Sequence, residues 1–427
     1  MKTRILIIGA GLGLLALVPL LLSQGLVNAA IPMLIAALFA CAYNLLCGQA
    51  GMLSFGHAAY FGVGAFATIH AMNALGGAGL LPTPLMPLAG AAGGLVFGAI
   101  AGWFATQRTG AYFAMITLAI AELLHAMAPH LKGVFGGEAG LSTMRMPAWG
   151  FTFGTTNEVY YLTLIWVALS LALLYLLTFT PLGRLALGVR ENSHRLSFLG
   201  YDVHRINVLI FAISGMFSGI AGGLQVISNE AANYVIFDPS LSAAVVLNTY
   251  IGGINVFLGP ALGAALMTFF GYAVSDMTQS WMLYQGLLFV LVMMFMPTGL
   301  SGLAALAARF AKRHGIRAVA PAAILYLIAF SSFAAACVFL TELTRRIFAQ
   351  DYLAIAKAAG AGGLPAITLF GWNWSPSSAV TWMVPIALAL LGTACWKFAN
   401  ASIGGLAQAG PDADNGAIEP TPEQGSL

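Results

Sequence analysis

Charge is what this chain has least of. Only 7% of its 427 residues are Asp, Glu, Lys or Arg, against roughly a quarter in an ordinary soluble domain. That scarcity, with 60% hydrophobic residues, excludes a water-soluble fold and predicts an all-α, polytopic membrane protein. The formal balance of 17 basic and 14 acidic residues, +3, offers no basic surface for nucleic acid. Cysteine is scarce too: Cys41, Cys47, Cys337 and Cys395 lie in or beside apolar segments. No CxxC pair occurs, so neither a disulfide framework nor a zinc site is indicated.

Catalytic patterns are missing as well. No Gly-Lys pair occurs, which excludes a phosphate-binding P-loop, and there is no HExxH or GxSxG. No nucleophile, metal or acid–base cluster supports an enzyme. Any work driven by ATP therefore needs an ATPase on another chain. No cofactor is expected here, and ATP and Mg belong to that partner.

Long apolar runs and glycine are abundant. Fifty glycines and 17 methionines suit helices that approach closely in lipid. Apolar windows predict helices near 5–22, 29–47, 56–74, 85–105, 109–128, 158–178 and 206–227, a compound region over 240–297, and two more near 318–341 and 379–397. In all, about 8–10 transmembrane or partial helices are expected. Lys2 and Arg4 followed by ILIIGAGLGLLALVPLLL read as a permanent first helix rather than a cleaved signal.

Basic loops stay in the cytoplasm. With the N-terminus inside, Arg108, the 184–205 stretch and the 309–317 cluster (Arg309, Lys312, Arg313, Arg317) all fall inside. The compound region must then cross an odd number of times. Three crossings fit: 240–251, too short for a full span and so broken or re-entrant; then, after the turn GGINVFLGP, 261–275 and 281–297. Residues 129–157 and 228–239 become the two substantial outer loops, open to an external protein or to a merely connecting role. The domain reading is 1–308 as the membrane core, 309–409 as an extension with two further helices, and 410–427 as an acidic, disordered tail. Arg345, Arg346 and Lys357 between the last two helices break the charge rule if both helices span.

Three stretches invite function. TPLGRLALGVRENSHRLSFLGYDVHR (180–205) alternates large apolar residues (Leu185, Leu187, Val189, Leu196, Phe198, Leu199) with charges before Gly200; it predicts a short amphipathic helix that docks in a groove on a partner. GQAGMLSFGHAAYFGVGAF (48–66) sets Gln49, Ser54 and His57 among glycines, and predicts an unwound turn lining a pathway, or else packing notches around a core histidine. In the compound region Asn248, Thr249 and Tyr250 precede Gly252-Gly253, a second candidate break that faces the first. Glu122 and His125, one turn apart, are a structural pair or, if the protein is a secondary transporter, its proton-coupling site.

With these residues in hand, the chain resembles the inner-membrane permease subunit of branched-chain amino acid (leucine/isoleucine/valine-type) ABC importers. The likeness rests on GQAGMLSFGHAAYFGVGAFAT (48–68), TPLGRLALGVRENSHRLSFLGYDVHRINVLIFAISGMFSGIAGGL (180–224), GGINVFLGPALGAALMTFF (252–270) and GLSG (299–302). It covers roughly 25–305. The resemblance implies a bacterial inner-membrane, multi-pass protein working by alternating access. Its implied partners are ATPase subunits, a second homologous permease and a periplasmic solute-binding protein. It places Arg190, Glu191 and Gly200, with Leu196 and Leu199 beside them, on the coupling loop that meets the ATPase. Gln49, Ser54, Phe55, Gly56 and His57 match its glycine-rich motif near the pathway. Related permeases carrying urea, short amides or aromatic acids share these motifs. The 318–427 extension lies outside the pattern.

Overall fold

The computed structural model describes residues 2–77, 79–296, 298–358 and 365–408. The expected tail, 410–427, lies outside the described residues. The chain divides into two compact units, Met1–Leu303 and Ala304–Leu427.

The first unit runs α1 (Lys2–Leu21), α2 (Gln24–Asn44), a π-helical turn (Leu45–Gln49), α3 (His57–Ala71), a second π turn (Met72–Gly76), α4 (Pro87–Ala105), α5 (Ala111–Met127), α6 (Lys132–Phe135), α7 (Thr156–Phe179), α8 (Pro181–Phe198), α9 (Val203–Asn229), α10 (Pro239–Gly252), α11 (Gly259–Ser275) and α12 (Trp281–Phe295). Helix α13 (Gly299–His314) follows; it carries the 309–313 charges, and low hydropathy hid it from the apolar windows. Starts are written in the sequence. Thr180-Pro181 and Asp238-Pro239 each place a capping side chain before a proline that has no amide to waste. Thr180 accepts from the Gly183 amide at 3.2 Å and Asp238 from the Ser240 amide at 2.7 Å.

The core is held by absent side chains. Gly90, Gly94, Gly98 and Gly102 recur every fourth residue on α4 and face Phe211, Ala212, Gly215 and Gly219 of α9. A Cβ on Gly94 would strike the Gly215 carbonyl, and one on Gly215 would lie 2.6 Å from the Gly94 carbonyl. Gly64 of α3 meets Gly219 as well, and Gly222 meets the Phe61 carbonyl. Three helices thus approach to backbone contact, the way small residues join helices in lipid.

The two loops expected on the outside, 129–157 and 228–239, are joined to each other. Leu141–Ser142 (β1) pairs antiparallel with Ala231–Ala232 (β2). The Thr143 amide donates to the Glu230 carbonyl at 2.9 Å, and Arg145 Nε sits 3.2 Å from Glu230 Oε1.

Among the described residues six helices are long and apolar enough to cross a membrane; α5 and α11, at 17 residues each, are shorter apolar helices. With the shorter α3, α10 and α12, of 15, 14 and 15 residues, this agrees with the expected mixture of transmembrane and partial helices.

In the second unit α14 (Ile316–Ile347) packs along α16 (Ala379–Gln408), each long enough to span. Ala322, Ala329 and Ala336, seven residues apart, are buried, and Gly392 admits the ring of Phe333. Between them come α15 (Gln350–Ala358) and the hairpin of β3 (Ile367–Leu369) and β4 (Trp372–Trp374). The arginines that broke the charge rule are paired: Arg345 with Glu342 at 2.9 Å, and Arg346 with Asp351 at 3.6 Å. Pairing lowers the penalty for placing them at the end away from the 309–317 cluster.

Candidate functional site

The end of α2 gathers most of the candidate residues. Its last turn widens into the π turn Leu45–Gln49, the chain unwinds over 50–56, and α3 starts at His57. Glycine makes the break possible at two positions. Gly51 holds φ +72°, and Gly56 lies against the Thr117 carbonyl, where a Cβ has no room. Amides freed by the break are met from other helices: Phe55 N–H donates to Thr117 Oγ1 at 3.2 Å, and Ala58 N–H to Ser242 Oγ at 2.9 Å.

His57 sits at the centre of a closed chain of hydrogen bonds. Ser214 donates its one hydroxyl proton to the Ala42 carbonyl at 2.6 Å. His57 Nε2, 2.9 Å from Ser214 Oγ, must then be the donor. Nδ1 accepts from Ser54 Oγ at 3.2 Å, and the Gly56 amide donates to that oxygen at 3.3 Å. Tyr43 and Tyr60 present ring edges to the imidazole at 4.9 and 5.3 Å between centroids. Both His57 and Ser54 are fully buried. In this conformation the pair fastens α3 to α9 and α2 and lines no open space.

The second break lies against the first. Helix α10 ends at Gly252, Gly253 takes φ +102°, and α11 resumes at Gly259-Pro260. Cys41 Sγ donates to the Phe257 carbonyl at 3.8 Å, Thr249 Oγ1 to the Ala40 carbonyl at 3.4 Å, and Cys47 Sγ lies 3.4 Å from Tyr250 Oη. A Cβ on Gly48 would be 2.9 Å from the Ile254 carbonyl. Gln49, Asn248, Gly252 and Gly253 are therefore brought to one joint. Among the described residues, two buried amide oxygens there have no hydrogen-bond partner, Asn44 Oδ1 and Asn248 Oδ1. Buried polar groups are normally satisfied, and these two mark the joint as a place where polar groups wait. Tyr43, Asn44, Thr117, Ser214 and Ser242 are not marked in the sequence as members of this site. A lone polar residue in an apolar run gives too little signal until its partner is known.

Helix α8 reaches this joint. Its backbone breaks at Asn192 (φ −163°, ψ 96°). Asn192 Oδ1 accepts from the Arg195 amide at 2.9 Å, so the residue caps a second, shorter helix. That helix closes in a Schellman turn: Tyr201 N–H to the Leu196 carbonyl at 3.1 Å, Gly200 N–H to the Ser197 carbonyl at 3.0 Å, with Gly200 at φ +88°. The five candidate coupling residues part company. Leu199 is exposed, next to Phe198, which is 91% exposed. Glu191 is exposed. Leu196 turns back over Gly188. Gly200 is the cap. Arg190, though exposed, reaches back to the protein: its Nη1 donates to the Gly48 carbonyl, and its stem lies over Gly51.

Elsewhere, Glu122 is exposed on α5 and has no hydrogen bond or ion pair to His125, whose ring faces Tyr234 at 6.0 Å. Three residues on, His125 looks inward while Glu122 looks out. Among the described residues no His, Cys, Asp or Glu cluster can hold a metal, and all four cysteines are free.

Residues 25–297 match the family described as the branched-chain amino acid transport system permease component. The chain is 27% identical over 308 residues to the high-affinity branched-chain amino acid transport system permease protein LivM of Escherichia coli K12, covering 66% of this chain and 71% of that one. It is 27% identical to the permease BraD of Pseudomonas aeruginosa, covering 62% of this chain and 91% of that one. A ribose import permease of Haemophilus influenzae is 29% identical over 133 residues, 30% of this chain and 39% of its own. No solved structure matches. The matched region contains both breaks and all of α8. The chain belongs to this permease family: it is a multi-pass membrane transport subunit and not an enzyme.

Proposed function

We propose that this member of the branched-chain amino acid permease family carries a branched-chain amino acid, or a small polar solute like it, across a bacterial inner membrane into the cytoplasm. The observation that carries the reading is the family match over 25–297, which takes in the joint and α8 together. Separate ATPase subunits bind ATP and Mg beneath the α8 end, at Phe198 and Leu199. A second, homologous permease completes the passage, and a periplasmic binding protein delivers solute to the face bearing the β1–β2 ribbon. Gln49, Phe55, Asn248, Gly252 and Gly253 border the moving region, and Ser54, Gly56 and His57 brace it.

The mechanism is alternating access. The permease breaks no bond. ATP-driven closure of the ATPases favours one of two conformations only so far as the contacts at α8 differ between them. The family match favours this reading over a secondary carrier coupled through Glu122 and His125. The test is purification from native membrane followed by uptake in sealed vesicles. Co-purified ATPase subunits and ATP-dependent leucine uptake are expected. Uptake by the chain alone, without nucleotide, overturns the proposal.

A further inference from the structure

Helix α8 reads at first as one docking element. Its geometry divides it. The half before Asn192 lies on the protein: Gly183 and Ala186 are buried, and a Cβ on Gly183 would strike the Leu177 carbonyl. The half after Asn192 carries the apolar surface, Phe198 and Leu199. Arg190 stands at the end of the first half, two residues before the break.

What Arg190 touches is the end of another helix. The π turn Leu45–Gln49 terminates α2, and the last carbonyls of a helix have no amide partner of their own. They also carry the negative end of the helix dipole, where a cation is favoured. Arg190 supplies both a donor and a charge to the Gly48 carbonyl. Its Cγ and Cβ pass over Gly51, where even a methyl group would sit 3.0 Å from Cγ. Gly51 therefore leaves the room the arginine stem uses. Cys47, which adjoins Gly48 in the chain, is bonded to Tyr250 across the joint. One side chain of α8 thus addresses the first break directly and the second through Tyr250.

We propose that Arg190 is a transmission residue that clasps the fixed half of α8 to the break after α2, while the half beyond Asn192 alone docks on the ATPase. Force entering at Phe198 and Leu199 crosses the Asn192 joint, travels the fixed half, and reaches the Gly48 carbonyl through the guanidinium. This rests on the permease reading above.

The experiment compares R190Q, R190K and F198D in the complex purified from native membrane. R190Q is expected to retain its ATPase subunits and their ATP hydrolysis while leucine uptake falls by about tenfold. R190K, which keeps the charge, recovers part of that loss. F198D loses the ATPase subunits. If R190Q sheds the ATPases as F198D does, or transports as wild type, the inference is overturned. Hydrogen exchange supplies a readout independent of any partner: in R190Q the segment 45–56, including the Met52 amide bonded to Leu46 at 3.0 Å, should exchange faster. Unchanged exchange there also overturns it. A wild-type chain that never carries an ATPase defeats the permease reading instead, and the exchange result still decides the clasp.

Discussion

At the scale of single residues, this protein uses polar groups to hold interruptions in place. The Ser54–His57–Ser214–Ala42 chain is complete only with the proton on Nε2, because Ser214 has one proton and gives it to a carbonyl. Ser214→Ala strands the buried Nε2–H and should cost about 1–3 kcal/mol, seen as a lower thermal midpoint in detergent with little change in partner binding. Gly200→Ala asks an L-residue to hold φ +88°. It should weaken the docking half of α8 by about 1–2 kcal/mol and reduce ATPase capture without altering the fold of the helix bundle. The sequence announced His57, Ser54 and Gly200 as special. It did not announce why. A hydrogen bond between residues 157 apart leaves no local mark, and a cap glycine looks the same in one dimension as a coupling glycine.

At the scale of elements, interruptions were easier to read than contacts. Glycine pairs and short apolar runs placed both breaks to within a few residues; the Thr180-Pro181 and Asp238-Pro239 caps mark the starts of α8 and α10. The meeting of the breaks leaves no local mark in the sequence, because it depends on α2 lying beside α10 and α11. Helix α13 was missed: its charges outweigh its leucines. The cap at Asp238 has a pH signature. Hydrogen bonds from the Ser240 side chain and amide hold its carboxyl below the usual 3.8. A depressed acid stabilises the folded state above its ordinary value and loses that contribution as pH falls through the folded one. Asp238→Asn should therefore flatten the acid limb of a stability-versus-pH curve, while leaving the order of helices unchanged. On the glycine ladder, Gly94→Leu has nowhere to put its side chain but the Gly215 backbone. Loss of a monodisperse peak on size exclusion is the expected outcome.

At the scale of the whole chain, the family match ends at residue 297 and the first compact unit at Leu303. A chain stopped after His314 should insert, retain its partners and import leucine within about twofold of full length, since a unit with its own core can fold alone. Vesicle uptake measures it. The extension's two helices were legible from hydropathy. The ion pairs that reconcile Arg345 and Arg346 with their position were not, because Glu342 and Asp351 are two unremarkable acids until a helix and a turn bring them round.

The bare ladder joining α3, α4 and α9 has one more consequence. Backbones that touch leave no side chains between them to repack, so the trio has no second internal packing to switch to. It must tilt as a single plate. Whatever bends during a transport cycle is then confined to the places where the chain has already given up its helix.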